Sequence, residues 1–226
     1  MGSDAPVNDL DTTISFYVRN NAFIINNILC GNWDFLWANI RPALDDNKNV
    51  LAENEAGLRP PLDEITIRRL QSRLYGELDD ALKQRIVSTA WRDIHNILGA
   101  MVPAQSALRL YRTITLADDV PRPHIRTLAA ANVGDIIRFP NISSSSGAPG
   151  WSEDSGKPFY RLVISIPKGG LILELDQFEC HNEDGEILLP PMKCNVICKT
   201  TDANKKCRGV LELEFAEYLR VDESAP

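Results

Sequence analysis

Leu108-Arg109-Leu110-Tyr111-Arg112-Thr113-Ile114 decides how this chain is built. Leu108, Leu110 and Ile114 recur at every second position, the period of a strand with one apolar face. Upstream of this stretch the period is that of a helix, and downstream it stays at two. Tyr160, Leu162, Ile164 and Ile166 alternate in the same way, followed by Leu171, Leu173 and Leu175. Glu186-Ile187-Leu188-Leu189, the neighbourhood of Val196, and Leu211, Leu213 and Phe215 supply further strands. Helices first and a run of strands afterwards predict an α+β fold, not a parallel α/β sheet.

The helical half has its own punctuation. From Thr12 to Leu29, Ile14, Tyr17, Val18, Ile25, Ile28 and Leu29 fall at helical spacing, with Asp11 or Thr12 as cap and Gly31 as stop. Trp33, Phe35, Leu36 and Trp37 form an aromatic cluster expected in the core. Residues 45–61 are polar and end in Pro60-Pro61, which reads as a loop. Ile67, Leu70, Leu74 and Leu78 open a second helical block, and Leu82, Ile86, Ala90, Ile94 and Ile97 continue it to Gly99 and Pro103. Ala129-Ala130-Ala131 predicts a short helix within 117–133. The expected division is a leader over 1–11, a helical lobe over 12–103 and a β-rich core over 104–220.

Composition excludes several classes. The 226 residues carry a net charge of -7 without a basic run, so a nucleic-acid groove is not expected. No apolar stretch is long enough to span a bilayer. Met1 to Pro6 is polar and lacks an apolar export signal. Cys30, Cys180, Cys194, Cys198 and Cys207 show no framework spacing and read as reduced thiols. No metal is expected, since His181 with Cys194, Cys198 and Cys207 lacks the paired-cysteine spacing of structural zinc sites.

Three pieces stand out against this background. Arg112 occupies the apolar phase of its strand, between Leu110 and Ile114, where a guanidinium needs an anionic partner. Its planar fork suits two phosphate oxygens; a core carboxylate, or a wet strand face, would serve as well. Ser143-Ser144-Ser145-Ser146 precedes Gly147, Pro149 and Gly150, and by itself reads as a loop. Glu186 opens an apolar strand in phase with Leu188, which turns its carboxylate toward a groove or the core, and Pro190-Pro191 end that strand. Each is explicable alone as ordinary structure.

Taken in order, Leu110-Tyr111-Arg112, Ile142-Ser143-Ser144-Ser145 and Asp184-Gly185-Glu186-Ile187-Leu188-Leu189-Pro190-Pro191 resemble the arginine–serine–glutamate class of mono-ADP-ribosyltransferases, which includes many bacterial toxins and effectors. The resemblance covers roughly residues 105–215, and residues Phe23 to Gly31 are loosely similar to the family helix beneath the nicotinamide site. It implies an N-terminal helical lobe followed by a mainly antiparallel two-sheet core. It also implies NAD as substrate, transfer of ADP-ribose to a protein with release of nicotinamide, and no metal.

By the same resemblance Glu186 is the catalytic carboxylate, Ser143 orients it, and Arg112 holds a phosphate. Tyr111 and Ser145 help bind NAD. Phe178, Glu183 and Asp184 would meet the acceptor, with Phe178 folded back on the core as the alternative, and Trp151 would be a lid on the site or a cover for the core. The family commonly has glutamate or glutamine two residues before its catalytic glutamate; here Asp184 is one methylene shorter than glutamate. Arginine and hydroxyl acceptors therefore both stay open. The implied partner is a host protein such as ubiquitin, actin or a small GTPase, and the implied setting is a translocated effector acting in a host cytosol, otherwise a cytoplasmic enzyme. NAD glycohydrolase and a non-catalytic interaction domain are the competing expectations.

Overall fold

A computed structural model gives the structure of the protein and describes residues 10, 13, 14, 17, 22–40, 80–115, 123–149, 158–178, 185–201 and 207–221. The leader to residue 9 and the opening of the second helical block lie outside these residues. The chain divides into two compact units. One is built from the residues up to Ala100 and includes Phe178; the other runs over Met101–Gln177 and Glu183–Val221.

Apart from Phe178, residues 30–32 and Ala100, the described residues of the first unit are helical. Helix α1, Ala22–Leu29, buries Ile24, Ile25 and Ile28 on one side. Gly31, at φ 66°, ends it. Asn32 N–H donates to Asn27 O at 2.9 Å and Gly31 N–H to Ile28 O at 3.0 Å, the paired bonds that satisfy the last carbonyls of a helix closed by a left-handed glycine. Residues 33–40 are helical again. Their core positions belong to Leu36 and Ile40, while Trp33 and Trp37 stack at 6.3 Å and stay half-buried, so the aromatic cluster flanks the core more than it fills it. Helix α2, Asp80–Gly99, buries Ile86, Ala90, Trp91, Ile94 and Ile97 at helical spacing. Asp80 in its first turn complements the positive end of the helix dipole.

Among its described residues the second unit holds nine strands: β1 Val102–Pro103, β2 Leu108–Thr115, β3 Ile136–Phe139, β4 Ser143–Ser146, β5 Phe159–Ile166, β6 Leu171–Glu174, β7 Glu186–Leu189, β8 Met192–Thr200 and β9 Cys207–Tyr218. Helix α3, Pro123–Ala130, lies between β2 and β3 in the chain, with proline at its first position, where a missing N–H costs nothing. Lys199 Nζ donates to Ala129 O and Ala131 O at 2.8 and 2.7 Å, which caps the carbonyl end of α3.

The described strands form one sheet in the order β1-β6-β7-β4-β2-β5-β9-β8-β3. Pairing is mainly antiparallel, as expected, while the single mixed sheet differs from the expected two-sheet core in two respects. First, hydrogen bonding connects all nine strands, although β2 meets β4 only through Tyr111↔Ser146 among the described residues. Second, β5 and β9 run parallel, from Phe159↔Cys207 to Ser165↔Glu214. Alternation tells which side chains share a face but not which way the neighbouring strand runs. The core draws Leu110, Leu162, Ile164, Leu211 and Leu213 from β2, β5 and β9, and Ile172 and Leu189 from β6 and β7, so both groups of strands bury their apolar faces in one interior.

Candidate active site

The narrow join between the strand groups is where the three sequence pieces come together. Along β4 and β7 the register runs Ser143↔Leu189, Ser144↔Leu188, Ser145↔Ile187 and Ser146↔Glu186. Tyr111 on β2 is opposite Ser146 on the other side. Tyr111, Ser146 and Glu186 therefore lie side by side across three consecutive strands, and directly opposite residues project from the same face of their ladder. At the usual spacing of about 4.8 Å per strand, some 10 Å separates the backbones of the first and the last.

Arg112 starts from the core phase of β2, opposite Leu162, and is half-buried. Its Nη1 donates to the Ser144 carbonyl at 2.9 Å, so the guanidinium is at β4. It thus has a structural partner in the strand that carries the serines. The guanidinium, the serine strand and the Glu186 carboxylate occupy neighbouring strands of one unit.

Glu186 is 6% exposed and begins β7 directly after Gly185, whose φ is 78°. Left-handed backbone at that point favours glycine and turns the chain sharply into the strand. Pro190 and Pro191 end β7, and β8 starts at Met192, so the glutamate strand is short for the reason its sequence suggests.

The serines divide by phase. Ser143 is opposite Leu189, three register positions from the pair containing Glu186, which is about 10 Å along a strand. Its hydroxyl faces Asn141: Ser143 Oγ donates to Asn141 O at 3.5 Å and Asn141 Nδ2 donates to Ser143 Oγ at 3.4 Å. The position beside Glu186 belongs to Ser146, and Ser144 follows on the same face. Since side chains alternate, the one-residue offset from 143 to 144 moves a hydroxyl to the opposite face. Ser146 Oγ accepts the Ala148 N–H at 3.1 Å, bracing the turn after β4. Sequence reading passed over Ser146 because a run of four serines carries no internal phase mark.

The acceptor residues are less well served. Glu183 and Asp184 lie outside the described residues, as does Trp151. Phe178 belongs to the first unit and is 6% exposed, the placement of a core side chain.

The residues present fit a dinucleotide. Ser145 Oγ is fully buried and makes no hydrogen bond, on the strand between those of Arg112 and Glu186. A buried hydroxyl left in that state costs about 1–3 kcal/mol, which a polar ligand reaching the Arg112 side of β4, the face opposite to Ser146 and Glu186, would offset. Arg112 supplies the cation that a diphosphate requires.

No protein-family model matches the chain, and no curated protein does. Solved structures match across nearly all of it at low identity. The catalytic domain of VahC from Aeromonas hydrophila is 18% identical, with 94% of this chain and 100% of that one covered at a TM-score of 0.55. The C3 exoenzyme of Clostridium limosum is 13% identical, covering 93% and 86% at a TM-score of 0.52. Plx2a, an ADP-ribosyltransferase toxin from Paenibacillus larvae, is 14% identical, covering 93% and 87% at a TM-score of 0.51. With its mixed sheet and its arginine, serine and glutamate strands side by side, the chain has the fold of the ADP-ribosyltransferase toxins.

Proposed function

We propose that this chain is a mono-ADP-ribosyltransferase that uses NAD, releases nicotinamide and modifies a protein acceptor. Residues 12–103 would form its helical lobe and 104–220 its catalytic core. The observation that carries the reading is the run Tyr111↔Ser146↔Glu186 across three adjacent strands, with the Arg112 guanidinium at the middle one.

NAD supplies a glycosidic bond whose cleavage places positive charge on the ribose carbon. Glu186 stabilises that charge: a carboxylate 6% exposed acts through a medium far less polarisable than water, and it is already in place before the reaction begins. Arg112 holds a phosphate oxygen while remaining tied to Ser144, which fixes the reacting bond relative to Glu186. Tyr111 lines the same strip, and Ser145, on the face of β4 that Ser143 shares, offers its unused hydrogen bond on the Arg112 side. Ser146 holds the position next to Glu186 that the family resemblance assigned to Ser143; Ser143, through Asn141, braces the start of β4. Asp184 or Glu183 orients the acceptor nucleophile or takes its proton.

A translocated effector acting on a host protein agrees with the toxin-type fold. Among the described residues no helix is long and apolar enough to cross a membrane. The deciding experiment incubates the protein with labelled NAD and cell lysate, beside Glu186→Ala, and maps the modified residue by mass spectrometry. Label on a protein with wild type and none with the variant is the expected result. Nicotinamide release without protein label would make the chain a glycohydrolase. Neither product with any lysate would leave a scaffold without this chemistry.

A further inference from the structure

Glu186 has no length of strand before it to hold it, yet its position must be fixed if its charge is to be preorganised. The 3-10 turn Leu175–Gln177 closes β6, the neighbour of β7 through Leu173↔Leu188 and Glu174↔Ile187. From that turn Asp176 reaches past the open end of the ladder, and its Oδ1 accepts the Gly185 N–H at 2.9 Å. Gln177 Nε2 donates to Glu174 O at 2.8 Å, so the turn carrying Asp176 is itself braced. On the other flank Ser146 Oγ is 3.8 Å from where a Cβ on Gly185 would be. Gly185 is thus gripped by a carboxylate on one side and bordered by a hydroxyl on the other, with its backbone at φ 78°.

We propose that Asp176 is a positioning residue for the catalytic carboxylate: by holding the Gly185 N–H it fixes the entry of the chain into β7 and with it the placement of Glu186. The proposal rests on the reading of Glu186 as the group that stabilises the ribose. An N–H donating to a carboxylate is among the stronger backbone contacts. Asp176 itself is exposed, so its effect comes less from stability than from geometry, where a displacement of about 1 Å costs on the order of 100-fold in rate.

The test is nicotinamide release measured over a range of NAD concentrations for wild type, Asp176→Ala, Asp176→Asn, Gly185→Ala and Glu186→Ala, with thermal midpoints alongside. Asp176→Ala should lower kcat by about ten- to a hundredfold while KM for NAD stays within about twofold, the pattern of a group felt only at the transition state. Asp176→Asn keeps an oxygen for the Gly185 N–H and should recover most of kcat. Gly185→Ala, strained at positive φ, should reproduce the kcat loss without touching Asp176; it also carries the test if Asp176→Ala does not fold. A wild-type kcat in Asp176→Ala overturns the proposal, as does a loss confined to KM or an asparagine variant as poor as alanine. If Glu186→Ala is inactive while Asp176→Ala is not, only the positioning role falls. If Glu186→Ala works normally, or wild type releases no nicotinamide, the parent reading falls and takes this one with it.

Discussion

The two groups of strands that meet at Tyr111 and Ser146 are built on opposite plans. On one side β2 and β5 pair along their whole length, from Leu108↔Ile166 to Thr115↔Phe159, and β9 and β8 extend the array. Leu110 and Ile114 on β2, Leu162, Ile164 and Ile166 on β5, and Leu211 and Leu213 on β9 all turn into the shared interior. On the other side β4 and β7 are four residues each, and β6 shares only Leu173↔Leu188 and Glu174↔Ile187 with β7. This second group holds the buried polar residues Ser143, Ser145, Ser146 and Glu186. The long ladders bury mostly apolar side chains; the short ones bury Ile172, Leu188 and Leu189 as well, but also place the polar groups. The difference assigns roles before any ligand is considered.

Removing Glu186 should break the comparison most visibly. Glu186→Ala is expected to lose about 100- to 1,000-fold or more in nicotinamide release, with the thermal midpoint kept or slightly raised. A variant that unfolds instead would mean that the short ladder carries stability after all. In the long ladder the converse is expected. Ile164→Ala, at a fully buried site, should cost about 2–5 kcal/mol of stability in denaturant titration and leave KM for NAD unchanged in the folded fraction. Arg112→Ala sits on the boundary between the two. It should raise KM for NAD, and Arg112→Lys should restore only part of the affinity because the planar fork is gone.

The two serine variants sharpen the same contrast at smaller scale. Ser146→Ala should lower nicotinamide release by roughly tenfold, since it changes the position beside Glu186 and removes the acceptor of the Ala148 N–H, whereas Ser143→Ala should stay within about twofold. Equal effects would return the orienting role to Ser143. The smallest expected effect concerns thiols. Burial pushes the Cys194 thiol up to about 12 and the Cys30 thiol up to about 11. Less thiolate forms, so alkylation near pH 7.5 should mark the part-exposed Cys198 before either of them.

How much of this could be read from the chain follows the same division. Strands with one aliphatic face announce themselves: Leu108 to Ile114, Tyr160 to Ile166 and Leu211 to Phe215 are β2, β5 and β9. Gly31 as a helix stop and Ala129-Ala130 as the end of a short helix were legible for equally local reasons. The parallel pairing of β5 with β9 was not, because partner direction is set by tertiary contacts. In the polar group the residue types were readable and their phase was not. Four consecutive serines look alike, and only the pairing with β7 shows that Ser146 and Ser144 share a face with Glu186. Asp176 left no sequence signal, since it works through a backbone N–H nine residues away.

The two ends of the described sheet are both unfavourable to a further strand. Among the described strands the array stops at β1, which is only Val102–Pro103, and at β3, whose four residues include the exposed Arg138. Proline offers no N–H to an incoming chain, and a charged side chain discourages a close neighbour. A wide, aliphatic-rich sheet would otherwise template the addition of further copies. These two features make pairing of a further strand at either of the described ends less favourable.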